Sequence, residues 1–298
     1  MSAAGLAEAA RRMHERGLDE RAIAVFSDYY HQLELGAQGT IPEDSIEPLV
    51  DLTRLDGVGA TEAERAQALG QVVVIKLNGG LGTSMGLAGA KSALSVRDGL
   101  TFLDVIARQV LALRAQYAAP LPVIFMNSFR THEETEAILA AYPDLPVRGL
   151  PLGFLQSAEP KLRVDDLSPV DWPANPELEW CPPGHGDVYL SLARTGLLDA
   201  LRGMGIRYAF LSNADNLGAT CDPDIAAWLL REQVPYLAEV CTRTVNDRKD
   251  RRQVLLDRAV SHRTRSRRPT RPSARRRRAR RRGPARGRRP GRPPQPRR

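Results

Sequence analysis

Apolar residues recur along this chain in two rhythms. Over Glu20–Leu35 they come at helical spacing, with Ile23, Phe26, Tyr30 and Leu33 on one stripe, and the Ala-rich Ala3–Arg16 reads as a helix before it. Gly36, Gly39 and Pro42 stop that pair, and Thr61–Leu69 predicts one more short helix. The rhythm then changes. Val72-Val73-Val74-Ile75-Lys76-Leu77 is a nearly unbroken β-branched and aliphatic run, the mark of a strand buried on both faces. Strand and helix alternate from there. A helix capped by Thr101, with Asp104 in its first turn, runs to Tyr117; Pro122–Asn127 is a strand; Thr131–Tyr142 is a helix whose Thr131 and Glu134 are spaced as a capping box. Leu150–Gln156 is the next strand, followed by a polar, Pro-rich excursion to Glu179, a helix over Asp187–Met204 and a strand over Arg207–Ser212. A helix over Asp222–Glu232, opened by Asp-Pro, and a strand over Val234–Thr242 complete the series. Such alternation predicts an α/β fold with a doubly wound, mostly parallel, Rossmann-like sheet.

Charge divides the chain. The net charge is +8, but residues 251–298 hold 21 arginines and one acidic residue, Asp257, which leaves 22 basic against 34 acidic residues in 1–250. Three segments follow: an N-terminal helical segment over 1–70 packing on the core, an α/β domain over 71–249, and an Arg/Pro-rich tail over 250–298 that holds too little apolar surface to fold. Cys181, Cys221 and Cys241 form no C-x-x-C pair, which argues against a disulfide framework or a zinc site. No N-terminal apolar segment resembles a signal peptide and no apolar run suits a membrane span, so a reduced cytoplasm is expected. His132-Glu133 lacks the second histidine of a metalloprotease helix, since position 136 is Glu136, and His14 and His31 read as surface helix residues.

Candidate chemistry sits where the strands end. After Leu77 comes Asn78-Gly79-Gly80-Leu81-Gly82-Thr83-Ser84-Met85-Gly86-Leu87-Ala88-Gly89-Ala90-Lys91. Glycines let backbone N–H groups face an anion without a Cβ in the way, and a closing lysine adds a point charge, so the loop suits phosphate, although a glycine-rich surface turn has a similar composition. It is neither a Walker A loop, because Ala90 precedes Lys91, nor a dinucleotide fingerprint, because three residues separate Gly82 from Gly86. Gln156 ends a strand with an amide suited to a base edge or, equally, to solvent. Cys181-Pro182-Pro183-Gly184-His185-Gly186-Asp187 places an imidazole before a helix. Asn213-Ala214-Asp215 puts a carboxylate where Mg²⁺ bridging phosphates would sit, and also suits an Asx turn.

The run Leu77-Asn78-Gly79-Gly80-Leu81-Gly82-Thr83-Ser84-Met85-Gly86, with Met126-Asn127-Ser128-Phe129 and Pro182-Pro183-Gly184-His185-Gly186-Asp187, resembles the UTP–glucose-1-phosphate uridylyltransferases and their UDP-N-acetylglucosamine pyrophosphorylase cousins. The Ser84-Met85 pair favours the glucose branch; Ala90 stands where the family usually has proline and Ala214 where it usually has serine. The resemblance implies that Leu77, Asn78, Gly79 and Gly80 lie along UTP, with Lys91 on its phosphates. It further implies that Gln156 and Gly184, helped by Met126, read uracil, that His185 and Asn213 contact sugar and phosphate, and that Asp215 holds Mg²⁺. The implied reaction joins UTP and glucose 1-phosphate into UDP-glucose and pyrophosphate; the alternatives are a catalytically defective UTP-binding fragment or a UDP-N-acetylglucosamine-type activity. The similarity is expected from about residue 40 to Lys249, where the composition turns abruptly to Arg, Pro, Ala and Gly. That switch inside a family motif predicts a tail read out of frame, ahead of a solvated tail or an arm binding nucleic acid.

Overall fold

The computed structural model describes residues 2–37, 39–48, 52–81 and 89–240, and the backbone of 259–262. In chain order, helices α1 (Ser2–Glu15) and α2 (Glu20–Glu34) precede strand β1 (Thr53–Arg54), helix α3 (Glu62–Leu69) and strand β2 (Val72–Asn78). A small hairpin, β3 (Ser95–Arg97) and β4 (Leu100–Thr101), leads to α4 (Phe102–Tyr117), β5 (Val123–Asn127), α5 (His132–Leu139) and β6 (Gly153–Leu155). The short strands β7 (Glu159–Pro160) and β8 (Trp180–Cys181) bracket the Pro-rich excursion. Helices α6 (Asp187–Arg194) and α7 (Leu197–Gly203), β9 (Tyr208–Asn213), α8 (Pro223–Glu232), β10 (Leu237–Val240) and β11 (Ala259–His262) follow.

The central sheet has the order β6-β5-β2-β9, and every pairing in it is parallel. Side chains alternate across it as the pleat requires. Val72, Val74, Val123 and Phe125 join Leu69 of α3, Leu103, Ile106 and Val110 of α4, Leu139 of α5 and Ala226 of α8 in one core. Val73, Ile75, Ile124 and Met126 pack on the opposite face against Val188 and Leu192 of α6 and Leu197 and Leu201 of α7. Helices therefore cover both faces, as in a doubly wound sheet. The N-terminal helices pack on the excursion: Ala9, Met13, Ile23, Phe26 and Tyr30 cluster with Ala158 and Trp180, and the Arg16 guanidinium lies over the Phe129 and Trp180 rings.

Several elements depart from the sequence reading. The helix expected over Asp187–Met204 is two, because Gly196 adopts φ +72° and turns the chain between them. Thr131 makes no capping hydrogen bond, and its side chain is used elsewhere. The boxes that do form are at Thr61 with Glu64 and at Thr101 with Asp104. The strand expected over Leu150–Gln156 shrinks to three residues. Within the segment expected to be disordered, Ala259–His262 pairs antiparallel with Leu237–Val240 and bridges to Thr53–Arg54. Val260 is the one β-branched residue in that strand, a signal that the tail's overall composition hides. The rest of 250–298, and the end of the strand expected to reach Thr242, lie outside the described residues.

Candidate active site

The strand order reverses at β2: the chain moves from it to β5 on one side and returns to β9 on the other. In open α/β sheets ligands settle in the crevice outside the carboxyl ends of strands at such a point. Register brings the expected residues to that end. Leu77 lies beside Met126 on β5 and Asn213 on β9, and Asn78 beside Asn127.

Asn78 is 3 % exposed and its amide is committed within the protein. Its Nδ2 donates to Asn127 Oδ1 at 2.7 Å and Thr135 Oγ1 at 2.8 Å, while its Oδ1 accepts from Ser92 Oγ at 2.5 Å. Thr131 Oγ1 donates to the Asn78 carbonyl at 2.8 Å and accepts from Ser128 N–H at 3.0 Å, the use that displaces the expected cap. The side chain of Asn78 is thus a hub tying three segments together, and its carbonyl is held by Thr131. Met126 is fully buried in the second core, so its side chain forms the floor under the strand end and offers no surface to a base.

The glycine loop closes on itself. Leu81 bridges Ala90, and Lys91 N–H donates to the Gly80 carbonyl. Ala90 N–H also donates to Glu134 Oε2 at 2.8 Å, a bond that the proline expected from the family pattern could not make. Glu134 therefore serves the loop, not its own helix end. Gly82–Ala88, with the Ser84-Met85 pair, lies outside the described residues. Beyond the closure, Lys91 Nζ stands 3.7 Å from Asp215 Oδ2, both half-exposed, so the loop and the β9 end present a cation and an anion to the same crevice.

Gln156 continues from β6, its N–H bound to the Asn127 carbonyl and its side chain buried against Gly79. A Cβ at Gly79 would collide with the Gln156 amide, so glycine is required there for the two segments to touch. Gly184 has φ +112°, with open space around it: its glycine is conformational and holds the Pro-Pro-Gly-His turn. Asp187, buried at the first turn of α6, accepts from Ser157 N–H at 2.6 Å and Ser191 Oγ at 2.7 Å, fastening that turn to the residue after Gln156. Burial, with the Asp187 charge nearby, pushes the Glu159 carboxyl up to about 7. His185 is exposed just before α6, and among the described residues no hydrogen bond or ion pair joins it to Lys91, Asn213 or Asp215.

Asn213 and Asp215 are exposed at the β9 end, while Ala214 is buried and its N–H donates to the Leu77 carbonyl at 3.0 Å. A serine there would point its hydroxyl into an apolar cluster. Sequence reasoning missed Lys76. It is 2 % exposed in mid-strand, its Nζ bound to Ser212 Oγ and the Ala219 carbonyl, and burial lowers its pKa to about 8. The signal was available: a lysine inside a fully buried strand is rare unless its charge has a use. No cluster of three metal-ligating side chains occurs among the described residues. A lone, accessible carboxylate such as Asp215 does suit Mg²⁺, which is commonly held by one or two carboxylates with substrate phosphates completing its shell. Among the described residues no helix is long and apolar enough to cross a membrane.

A family model for UTP–glucose-1-phosphate uridylyltransferase matches residues 23–269, running past both ends of the stretch over which the sequence reading places the resemblance. The chain is 42 % identical over 207 residues to the potato (Solanum tuberosum) UTP–glucose-1-phosphate uridylyltransferase, covering 69 % of this chain and 43 % of that one. It is 38 % identical over 244 residues to the Saccharomyces cerevisiae enzyme, covering 81 % and 48 %. Among solved structures, UDP-glucose phosphorylase from Trypanosoma brucei superposes with a TM-score of 0.75 at 42 % identity, covering 82 % of this chain and 52 % of that one. A Leishmania major UDP-glucose pyrophosphorylase mutant solved with UDP-glucose gives 0.72 at 39 % identity, covering 81 % and 50 %. The chain spans about half the length of the relatives it matches. The family model and the superposed structures lead to one conclusion: this chain belongs to the UTP–glucose-1-phosphate uridylyltransferase family.

Proposed function

We propose that the crevice between β2 and β9 binds UTP and glucose 1-phosphate and supports uridylyl transfer. A phosphate oxygen of the sugar attacks the α-phosphorus of UTP in line, the bond to the β-phosphate breaks, and pyrophosphate leaves as UDP-glucose forms. No protein nucleophile is needed, so the task is positioning and charge neutralisation. Backbone groups of Leu77–Gly80 lie along the nucleotide, Lys91 meets its phosphates, and Gln156 with Gly184 reads uracil. His185 and Asn213 orient the sugar phosphate. Asp215 would hold Mg²⁺, which when bound supplies further neutralisation of the phosphates.

The observation that carries this reading is the convergence of Lys91 and Asp215 at the switch point, 3.7 Å apart on two different strand ends. A pair this accessible is poised to exchange its mutual contact for a phosphate and a cation. The free thiols at Cys181 and Cys221 suit the reducing cytoplasm proposed with it. A second reading of the same crevice is UTP binding without turnover.

The test is to mix the 298-residue chain with UTP, glucose 1-phosphate and Mg²⁺, follow pyrophosphate, and titrate UTP separately. Pyrophosphate release abolished by Lys91→Ala supports transfer. Saturable UTP binding without release supports the second reading, and no UTP binding rejects both.

A further inference from the structure

An ammonium buried in mid-strand without a carboxylate partner is costly, because it gives up water for little compensation. Leucine or methionine in place of Lys76 would fill the same space in an apolar layer without that cost. The partners Lys76 does have share one feature. Ser212 Oγ at 2.8 Å is the residue before Asn213, the Ala219 carbonyl at 2.9 Å closes the turn after Asp215, and the Phe210 ring centroid lies 5.6 Å away on the same strand. All three belong to β9 or to the loop behind it.

That loop has few other anchors. Its internal bonds run from Asn216 to Asn213, from Ala219 to Asn216 and from Gly218 to Asn216 Oδ1, and they shape the turn without fixing it to the body. From outside, Ala214 N–H meets the Leu77 carbonyl, and Gln109 Nε2 donates to the Leu217 carbonyl at 3.2 Å. The charged contacts are the Lys91–Asp215 ion pair at 3.7 Å across the crevice and the Lys76 ammonium, and Lys76 alone of the two spans the loop from one root to the other.

We propose that Lys76 is a positioning residue: its ammonium clips Ser212 to Ala219 and so holds Asp215 opposite Lys91. β2 then controls both charges of the crevice, Lys91 through the loop it feeds and Asp215 through the lysine in its middle. The inference deepens the functional reading above and rests on Lys91 and Asp215 serving UTP.

Lys76→Met keeps most of the stem and removes the donors. An apolar side chain suits the surrounding layer, so the variant folds, which a thermal melt checks. Hydrogen exchange at the amides of 214–219 is expected to accelerate by about ten-fold or more, with β5 amides unchanged. UTP affinity falls about ten-fold, and in an Asp215→Asn background the same substitution changes it by less than about two-fold, because the path through Asp215 is already cut. Lys76→Gln, which restores an N–H donor, should recover part of the loop protection; a space-filling role predicts that Met and Gln behave alike. Unchanged loop exchange in Lys76→Met, or an equal loss of UTP affinity in both backgrounds, overturns the proposal. If no form of the chain binds UTP, the functional reading fails, and loop exchange alone still decides what Lys76 does.

Discussion

The two flanks of β2 reach the same crevice but are held by different chemistry. On the β5 side, Asn78, Asn127, Thr135, Thr131 and Ser92 lock the strand ends through neutral amides and hydroxyls, all of them buried. On the β9 side, one buried ammonium grips an exposed loop. The amides and hydroxyls carry no charge of their own, although Asn127 Nδ2 also meets the His132 ring Nδ1 at 3.2 Å, and the duty is spread over several members. A single charged clip concentrates the same duty in one titratable group. The rigid flank suits a backbone that must lie still along a nucleotide, and the clipped flank suits a carboxylate that must exchange partners.

Removing the hub of the rigid flank gives the largest effect. Asn78→Ala strands a buried donor and acceptors on three segments and should destabilise the fold by about 4 kcal/mol, read as a fall in the denaturant midpoint. On the other flank the effect is one of pH. Lys76 has its pKa lowered from 10.5 to about 8 by burial, while the unfolded chain keeps the ordinary value. Between those limits the unfolded state binds more protons, so stability rises with pH across that window, by up to about 3 kcal/mol. Cys221, the thiol facing the lysine, is raised from 9.0 to about 12 by burial and opposes this rise above about pH 9, so the Lys76 contribution is read as the slope lost in Lys76→Met relative to the parent chain. Glu159 has the opposite sign: its pKa, raised from 4.5 to about 7, makes stability fall as pH rises between those values, and Glu159→Gln should remove that fall.

Smaller effects sharpen the contrast between fold and site. Lys91→Ala should lower UTP affinity by about thirty-fold yet move the melting temperature by less than about 2 °C, since a half-exposed ion pair contributes little to stability. Ala90→Pro has the smallest effect. The backbone at Ala90, φ −64°, already suits proline, so a gain of about 0.5–1 kcal/mol in chain entropy opposes loss of the bond to Glu134. The net change should be a destabilisation of about 1 kcal/mol in urea melts.

The parallel sheet was legible because β-branched runs at Val72–Leu77 and Pro122–Asn127 leave little choice but buried strands. The glycine loop and the Asn213–Asp215 turn were legible as strand-end chemistry, and the structure brings Lys91 and Asp215 together. What escaped was tertiary. Thr131 and Glu134 have capping-box spacing, but the Asn78 carbonyl and the Ala90 N–H compete for them and win, and no local pattern encodes those partners. Lys76 was absorbed into an apolar run because its partners lie 136 and 143 residues away. Asn78 was assigned to the ligand by its place in a motif, whereas its side chain belongs to the scaffold.

The most direct measurement is a hydrogen-exchange map of the 298-residue chain with and without UTP. If the two flanks form one nucleotide site, UTP slows exchange at Asn78–Leu81, at Lys91 and at 213–219 together, and Lys91→Ala weakens all three in parallel. Protection confined to one flank, or none at saturating UTP, would contradict a shared site across β2.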